Sequence, residues 1–426
     1  MCLVFGFSCI VNQQVEMMNI FCQTQNTKYA TLDELDVLQI HQFPIQYLLM
    51  DKAKLLTQKQ VDYCMECGLC TGSCPISREL ATFSPRQMIK RAVLDPDDGL
   101  VHSREIWACL GCANCSGRCP AEIDFPEFVS SHRRQARRAG NLPQESHHGI
   151  MQAIAGLQTR NLKQQRTAWA AEAGTFRATG EFFYFVGCLP FFDVTFRYLN
   201  LSPLDSARSM LRLLNKMGIE PVISDQERCC GHDALWCGDE DTFRKLAEWN
   251  LEVINASGAK TVIFSCPEGY TTFKTHYPKH FGTLPFEVLH MTEFLARELP
   301  ATGLSFQAAA DETVTYHDPC RLGRLAGIYE APRQLLAMLP EVKLVEMERN
   351  RENALCCGTS AWMECASYSK AIQTERMQEA IQTGAHTLIT ACPKCQIHFT
   401  CAQGDTDINL KMVDLYTYLN QRLGNT

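Results

Sequence analysis

Long apolar runs are missing from this 426-residue chain, and so is any excess of basic residues. No stretch approaches the ~18 consecutive apolar residues of a membrane-spanning helix. Lys and Arg number 40 against 47 Asp and Glu, a formal charge of −7, which argues against the basic footprint of a nucleic-acid-binding protein. A G-x-G-x-x-G turn after a strand is absent, as is a Walker loop, so no flavin, nicotinamide or nucleotide site is expected. The apolar opening MCLVFGFSCIV has no Lys or Arg before Lys28, a pattern unlike a secretory signal peptide. A hydrophobic content of 46% with 20% charged residues is that of an ordinary globular protein rather than a disordered one. At ~150 residues per domain the length predicts two or three domains.

Cysteine is abundant, with 23 residues. A chain this long builds its own cores and has no need of a disulfide scaffold. With no export signal, so many thiols point to metal ligation in a reducing compartment, and the expected location is cytoplasmic. Two runs stand out: Cys64-x-x-Cys67-x-x-Cys70-x-x-x-Cys74-Pro75 and Cys109-x-x-Cys112-x-x-Cys115-x-x-x-Cys119-Pro120. This spacing is the bacterial ferredoxin signature, and two copies imply two [4Fe–4S] clusters. Three close thiolates cap three corners of a cube from one loop, and the fourth ligand comes from the other run. One cluster is therefore assigned to Cys64, Cys67, Cys70 and Cys119, the other to Cys109, Cys112, Cys115 and Cys74. Zinc knots use separated Cys pairs, so this spacing weighs against them.

Between the runs, SPRQMIKRAVL predicts a helix with Ser84 as N-cap and Pro85 at its first position. After them, FPEFVSSHRRQARRAG predicts another, ending at Gly140, whose Arg133, Arg134, Arg137 and Arg138 read as a solvated face, or else as a docking patch for an acidic partner. From about residue 181 the chain repeats itself. GAKTVIFSCP (258–267) matches GAHTLITACP (384–393), RCCG (228–231) matches LCCG (355–358), and FFYFVGC matches TVTYHDPC. Each copy reads strand, helix (202–218; 329–339), strand (221–224; 342–347), Cys-Cys-Gly, helix (239–255; 368–383), strand, helix. Alternating strands and helices predict parallel sheets.

The thiols of the second copy are Cys320, Cys356, Cys357, Cys392 and Cys395. The first copy has Cys188, Cys229, Cys230 and Cys266, with Gly269 where a fifth cysteine would stand. Neighbouring side chains on a strand point to opposite faces, so adjacent thiols reach one metal only if the backbone turns, and the following glycine permits that turn. Cys266-Pro267 and Cys392-Pro393 each end a predicted strand and open a helix, whose amide dipoles favour an anionic site. The first copy leaves three outcomes open: a four-thiolate cluster, a modified cluster, or none. His317, at a strand end, reads either as a general acid for a leaving thiolate or as a hydrogen-bonded strand-end histidine. Arg321 and Arg324 read as surface pairs or as anchors for an anionic substrate. Cys237, Cys365 and Cys401 fill no ligand slot and read as buried structural thiols.

The duplicated Cys…Cys-Cys-Gly…Cys-x-x-Cys pattern resembles the cysteine-rich (CCG) domain of heterodisulfide reductases. Similar domains occur in iron–sulfur subunits of glycolate, lactate and anaerobic glycerol-3-phosphate dehydrogenases. Over residues 61–426 the order resembles the fused D-type heterodisulfide reductase subunit, and the wide gap between the ferredoxin runs resembles an α-helical ferredoxin. The resemblance implies an α-helical ferredoxin with two 4Fe–4S clusters followed by two tandem α/β CCG repeats. It divides the chain into a lead-in (1–50), the ferredoxin domain (51–140), a linker (141–180), a first repeat (181–300) and a second (301–426). It also implies a noncubane [4Fe–4S] cluster on Cys320, Cys356, Cys357, Cys392 and Cys395 that cleaves or forms a disulfide in one-electron steps. Implied partners are other redox subunits: a cytochrome b-type membrane subunit, which would hold the chain at the cytoplasmic face of the membrane, or a flavoprotein. The competing expectation is a non-catalytic electron-transfer subunit of a flavin-dependent hydroxy-acid or glycerol-3-phosphate dehydrogenase that feeds quinone.

Overall fold

The computed structural model describes residues 61–94, 99–308 and 312–424. The expected lead-in over 1–50 lies outside the described residues. The N-terminal part is helical. Helix Pro85–Leu94 begins as its Ser-Pro start predicts, with Ser84 Oγ accepting from the Gln87 amide at 3.3 Å. Helix Phe125–Arg138 is capped by Asp124, which accepts from the Glu127 amide.

The rest is built on two parallel sheets. The first has the order β1 (Phe182–Phe185), β2 (Thr261–Phe264), β3 (Glu287–His290). The second has β5 (Val342–Leu344), β4 (Glu312–His317), β6 (Thr387–Thr390) and β7 (Lys411–Asp414), in that order. Every pairing is parallel, with Phe185 beside Phe264 and His317 beside Thr390. β2 (TVIF) and β6 (TLIT) are central and buried along their whole length, and neither carries a charged residue, as covered parallel strands require. The strand expected over 221–224 contracts to a single residue, Val222, bridged to Phe183 on one side and Arg177 on the other, with Val222 N donating to Phe182 O at 2.7 Å. Its counterpart β5 covers three residues.

The two sheets are joined by a reciprocal exchange of helices. Leu204–Lys216 of the first repeat packs on Leu415–Asn420 of the second, and Met291–Glu298 of the first packs on Glu330–Ala337 of the second. Ala207, Met210, Leu211 and Leu214 bury one face of the first of these helices. One core therefore unites Tyr184 and Ile263 with Tyr316, Ile389 and Tyr416. A second core unites Ile76, Met88 and Phe128 of the helical part with Met347, Ile372 and Phe399 of the second repeat. Residues 141–180, read as a linker, pack on both repeats. Gln152 Nε2 donates to Trp362 O at 3.0 Å, and Arg166 forms a buried ion pair with Glu227 at 2.9 Å.

The arginine stripe of Phe125–Arg138 is not a single solvated face. Arg133 is fully buried and donates to the carbonyls of Ile106, Cys109 and Trp236. Arg134, Arg137 and Arg138 pair with Glu127, Asp239 and Glu240. Helix periodicity placed these four on adjacent turns but could not register which one points inward. Among the described residues no helix is long and apolar enough to cross a membrane.

Candidate metal centres

Cys64, Cys67, Cys70 and Cys119 line one pocket, and Cys74, Cys109, Cys112 and Cys115 line a second. Cys115 borders both. In the first set Cys67 is exposed and the other three are half-buried; in the second all four are buried. Burial pushes the Cys74 thiol up to about 12. Four thiols gathered in each lining, with no described carboxylate in the second and only Glu66 in the first, form donor sets suited to iron and sulfide, which deprotonate them on binding.

In the repeats, parallel strands deliver cysteines at their C-terminal ends, where open parallel sheets bind ligands. Cys188 follows β1, Cys266 follows β2, Cys320 follows β4 and Cys392 follows β6. Cys266 and Cys392 are the N-caps of helices Pro267–Thr271 and Pro393–Gln403, each with Pro at the helix start. Gly231 and Gly358 turn through φ of 82° and 79°. A Cβ at Gly358 would stand 2.7 Å from the Ser369 carbonyl oxygen. These left-handed turns bring adjacent thiols toward one site, Cys356 facing Cys320 and Cys357 facing His398.

The second-repeat thiols lie close together. Cys356 Sγ lies 4.0 Å from Cys320 Sγ, and Cys320, Cys357, Cys392 and Cys395 line one pocket. The neighbouring Cys356 and Cys395 thiols hold the Cys357 thiol well below its ordinary range against the effect of burial, with help from His398, whose Nδ1 is 3.4 Å away. In the first repeat Cys188 Sγ lies 3.6 Å from Cys229 Sγ, which also accepts from the Gly231 amide at 3.4 Å. Cys188, Cys230 and Cys266 line a pocket with Gly269, where a Cβ would stand 3.9 Å from that of Cys230.

His317 is fully buried at the end of β4. Its Nδ1 accepts from Arg376 Nε at 3.2 Å, and Phe399 packs edge-on at 4.9 Å. Burial first, then Arg376, depresses its pKa to about 3, so the ring is neutral near pH 7. Arg321 and Arg324 are not surface pairs. Arg321 is 3% exposed and donates to the Gly111 carbonyl, to His232 Nε2 at 3.2 Å and to Ser360 Oγ at 3.3 Å. Arg324 donates to Cys112 O at 2.6 Å and Ala354 O at 2.5 Å. Cys237 is buried against Ala361 O and Met363 Sδ, whereas Cys365 is exposed and Cys401 is half-buried beside Lys370 Nζ at 3.2 Å.

Sequence reasoning missed a buried ionic knot between the repeats. Lys394 of the second repeat donates to Asp233 and, at 2.6 Å, to Glu268, both of the first repeat. His232 Nδ1 lies 2.9 Å from Asp233 and 3.4 Å from Glu268. Asp233 is held well below the usual carboxylate range by Lys394 and His232, against the opposing effect of burial. Glu268 and Lys394 border both repeat pockets. A signal was present: they occupy the same slot of the duplicated Cys-Pro-x motif with opposite charges.

Comparison with known families matches the cysteine-rich domain (CCG) at residues 182–274 and again at 314–400, and the 4Fe-4S dicluster domain at 60–123. The chain therefore carries two cysteine-rich CCG domains and a 4Fe-4S dicluster domain, and it is homologous to iron–sulfur oxidoreductase subunits. It is 32% identical over 269 residues to the D-type subunit of dihydromethanophenazine:CoB–CoM heterodisulfide reductase from Methanosarcina barkeri, covering 62% of this chain and 64% of that one. It is 30% identical over 295 residues to EtfAB:quinone oxidoreductase of Syntrophomonas wolfei, covering 63% of this chain and 39% of the relative. The B-type subunit of fumarate reductase (CoM/CoB) from Methanothermobacter marburgensis is 27% identical over 80% of this chain and 68% of its own length. The chain thus spans just under two thirds of the heterodisulfide reductase relative and a smaller share of the quinone oxidoreductase.

Proposed function

We propose that this protein is an iron–sulfur oxidoreductase subunit that carries electrons through two [4Fe–4S] clusters to a site of disulfide chemistry in its second repeat. The cluster ligands are Cys64, Cys67, Cys70 and Cys119 for one and Cys74, Cys109, Cys112 and Cys115 for the other. Cys320, Cys356, Cys357, Cys392 and Cys395 hold a noncubane cluster. The observation that carries the reading is the bridge made by Arg324, which donates to Cys112 O at 2.6 Å and to Ala354 O at 2.5 Å and so ties the loop of the second ferredoxin set to the loop of Cys356 and Cys357. The identity with the D-type heterodisulfide reductase chain agrees with it.

An iron–sulfur cluster on the five thiols supplies one-electron steps. The overall conversion is R–S–S–R′ plus two electrons and two protons to two thiols, with a reduced redox partner protein as the electron source; the reverse forms the disulfide. The chain's own part is to bind and to exclude water. The pocket is walled by Leu110, Pro319, Thr359 and Ser360, and its cations are already engaged: Lys394 by two carboxylates, Arg321 by backbone and side-chain acceptors. His317, neutral and held by Arg376, keeps the strand end rigid.

A quinone-feeding relay without disulfide chemistry is the second reading, favoured by the EtfAB:quinone oxidoreductase relative and by Gly269 in the first repeat. The test compares anaerobically purified wild type with Cys392→Ser for iron content and for dye-driven disulfide reduction. The expected counts are about twelve iron atoms falling to about eight, with turnover lost. Unchanged turnover in the variant rules out disulfide chemistry at this repeat and leaves the relay.

A further inference from the structure

The two ferredoxin-type thiol sets have unlike electrostatic surroundings. The wall of the outer set carries one cation, Arg86, and one carboxylate, Glu66, which Lys90 meets at 3.0 Å. No carboxylate lines the inner set. Three arginines close on its loop instead. Arg133 donates to Cys109 O at 2.7 Å, Arg321 to Gly111 O, and Arg324 to Cys112 O at 2.6 Å. Arg321 Nη1 also lies 3.8 Å from Cys320 Sγ, and Arg324 reaches Ala354 O, two residues before Cys356. Among the described residues none of these three arginines forms an ion pair with a carboxylate.

A buried guanidinium without a carboxylate is costly unless another anion balances it. Here Arg321 meets Cys320 Sγ, Gly111 O, His232, Ser360 and the Trp236 ring, with Glu268 adding negative charge farther off. Arg324 meets the carbonyls of Cys112, Glu352 and Ala354, and Arg133 those of Ile106, Trp107, Cys109 and Trp236. The cysteine sulfurs and the carbonyls of cysteine-bearing loops among them are the setting of an anionic thiolate–sulfide cluster. Positive charge and hydrogen bonds close to such a group favour its reduced form. We propose that Arg321 and Arg324 are positioning residues that fix the electron crossing between the inner set and the second repeat and make the inner set easier to reduce than the outer one. Electrons received at the exposed set then run inward. This rests on the cluster assignment proposed above.

The test is an EPR-monitored redox titration of the anaerobically purified full chain as wild type, Arg324→Gln and Arg324→Lys, with iron counted in each. At the potential that half-reduces the wild-type inner set, Arg324→Gln should lower its reduced-to-oxidised ratio about tenfold. The outer set should keep its ratio, and Arg324→Lys should recover most of the loss. An unchanged inner ratio in iron-replete Arg324→Gln overturns the proposal, as does an equal shift of both sets. If Arg324→Gln loses iron, Arg324→Lys decides: a ratio near wild type supports the role of the charge, and a tenfold fall overturns it. A wild-type count well under about eight iron atoms overturns the cluster assignment itself, and the inference with it.

Discussion

Lys394 carries a heavy electrostatic burden. Its ammonium is buried and neutralised by two carboxylates from the other repeat, and the His232 ring completes the knot. Removing one member of such a group leaves uncompensated buried charge, which costs more than the pair itself contributes. Lys394→Met should therefore lower stability by about 3–5 kcal/mol in anaerobic denaturant unfolding. Adding Glu268→Gln should restore part of the loss, because one of the stranded carboxylates is then gone. Additive losses in the double variant would mean that the three groups do not act as a unit. The Cys-Pro-x slot made Glu268 and Lys394 visible as a charge-reversed pair in the sequence, yet their contact depends on how the two repeats face each other. Sequence spacing carries no information about that.

Among the secondary-structure elements, the segment from β7 into helix Leu415–Asn420 is governed by Asp414. Its Oδ1 accepts from the Tyr416 and Thr417 amides at 3.0 and 3.1 Å, while burial raises its pKa from 3.8 to about 6. A carboxyl whose folded pKa lies above its unfolded value binds protons more tightly in the folded state. Its contribution is complete below about pH 4 and is lost as pH rises through 6. By pH 7.5 the ionised form has cost about 3 kcal/mol. Asp414→Asn keeps the Oδ1 acceptor and removes the charge. Its apparent melting temperature should exceed wild type at pH 7.5, with the gap narrowing toward pH 5. A gap independent of pH would show that Asp414 does not titrate in this range. The helices at 85–94 and 125–138 were readable in advance because a Ser-Pro start and apolar helical spacing are local signals, whereas β7 and the helix after it were not read. The strand expected over 221–224 was misread because only Val222 finds backbone partners, in Phe183 and Arg177, and pairing is not a local property.

For the molecule as a whole, the ferredoxin-type part is attached to the second repeat by burial rather than by charge. Helix Pro75–Glu79 packs on helix Ser367–Gln382, with Ile76 fully buried in the shared core. At the rim of the same contact Arg78 meets Glu375 at 2.9 Å, both part-exposed. Ile76→Ala should cost about 2–5 kcal/mol, and Arg78→Ala no more than about 1 kcal/mol. Comparable losses, measured by anaerobic unfolding, would show that the rim ion pair carries the docking.

Taken alone, the sequence determined the thiol groups, the repeat and the alternation of strand and helix, because cysteine spacing, Cys-Cys-Gly turns and apolar periodicity act over a few residues. Tertiary structure decided which groups meet across the chain. It tied the Cys112 loop to the Cys356 loop through a half-buried Arg324, buried Arg321 where a surface pair was expected, and enclosed Lys394 between two carboxylates of the other repeat. The reason is physical. A guanidinium or ammonium reads as solvent-facing in any local window, and only the packing of distant elements supplies the carbonyls, carboxylates and sulfurs that make its burial favourable.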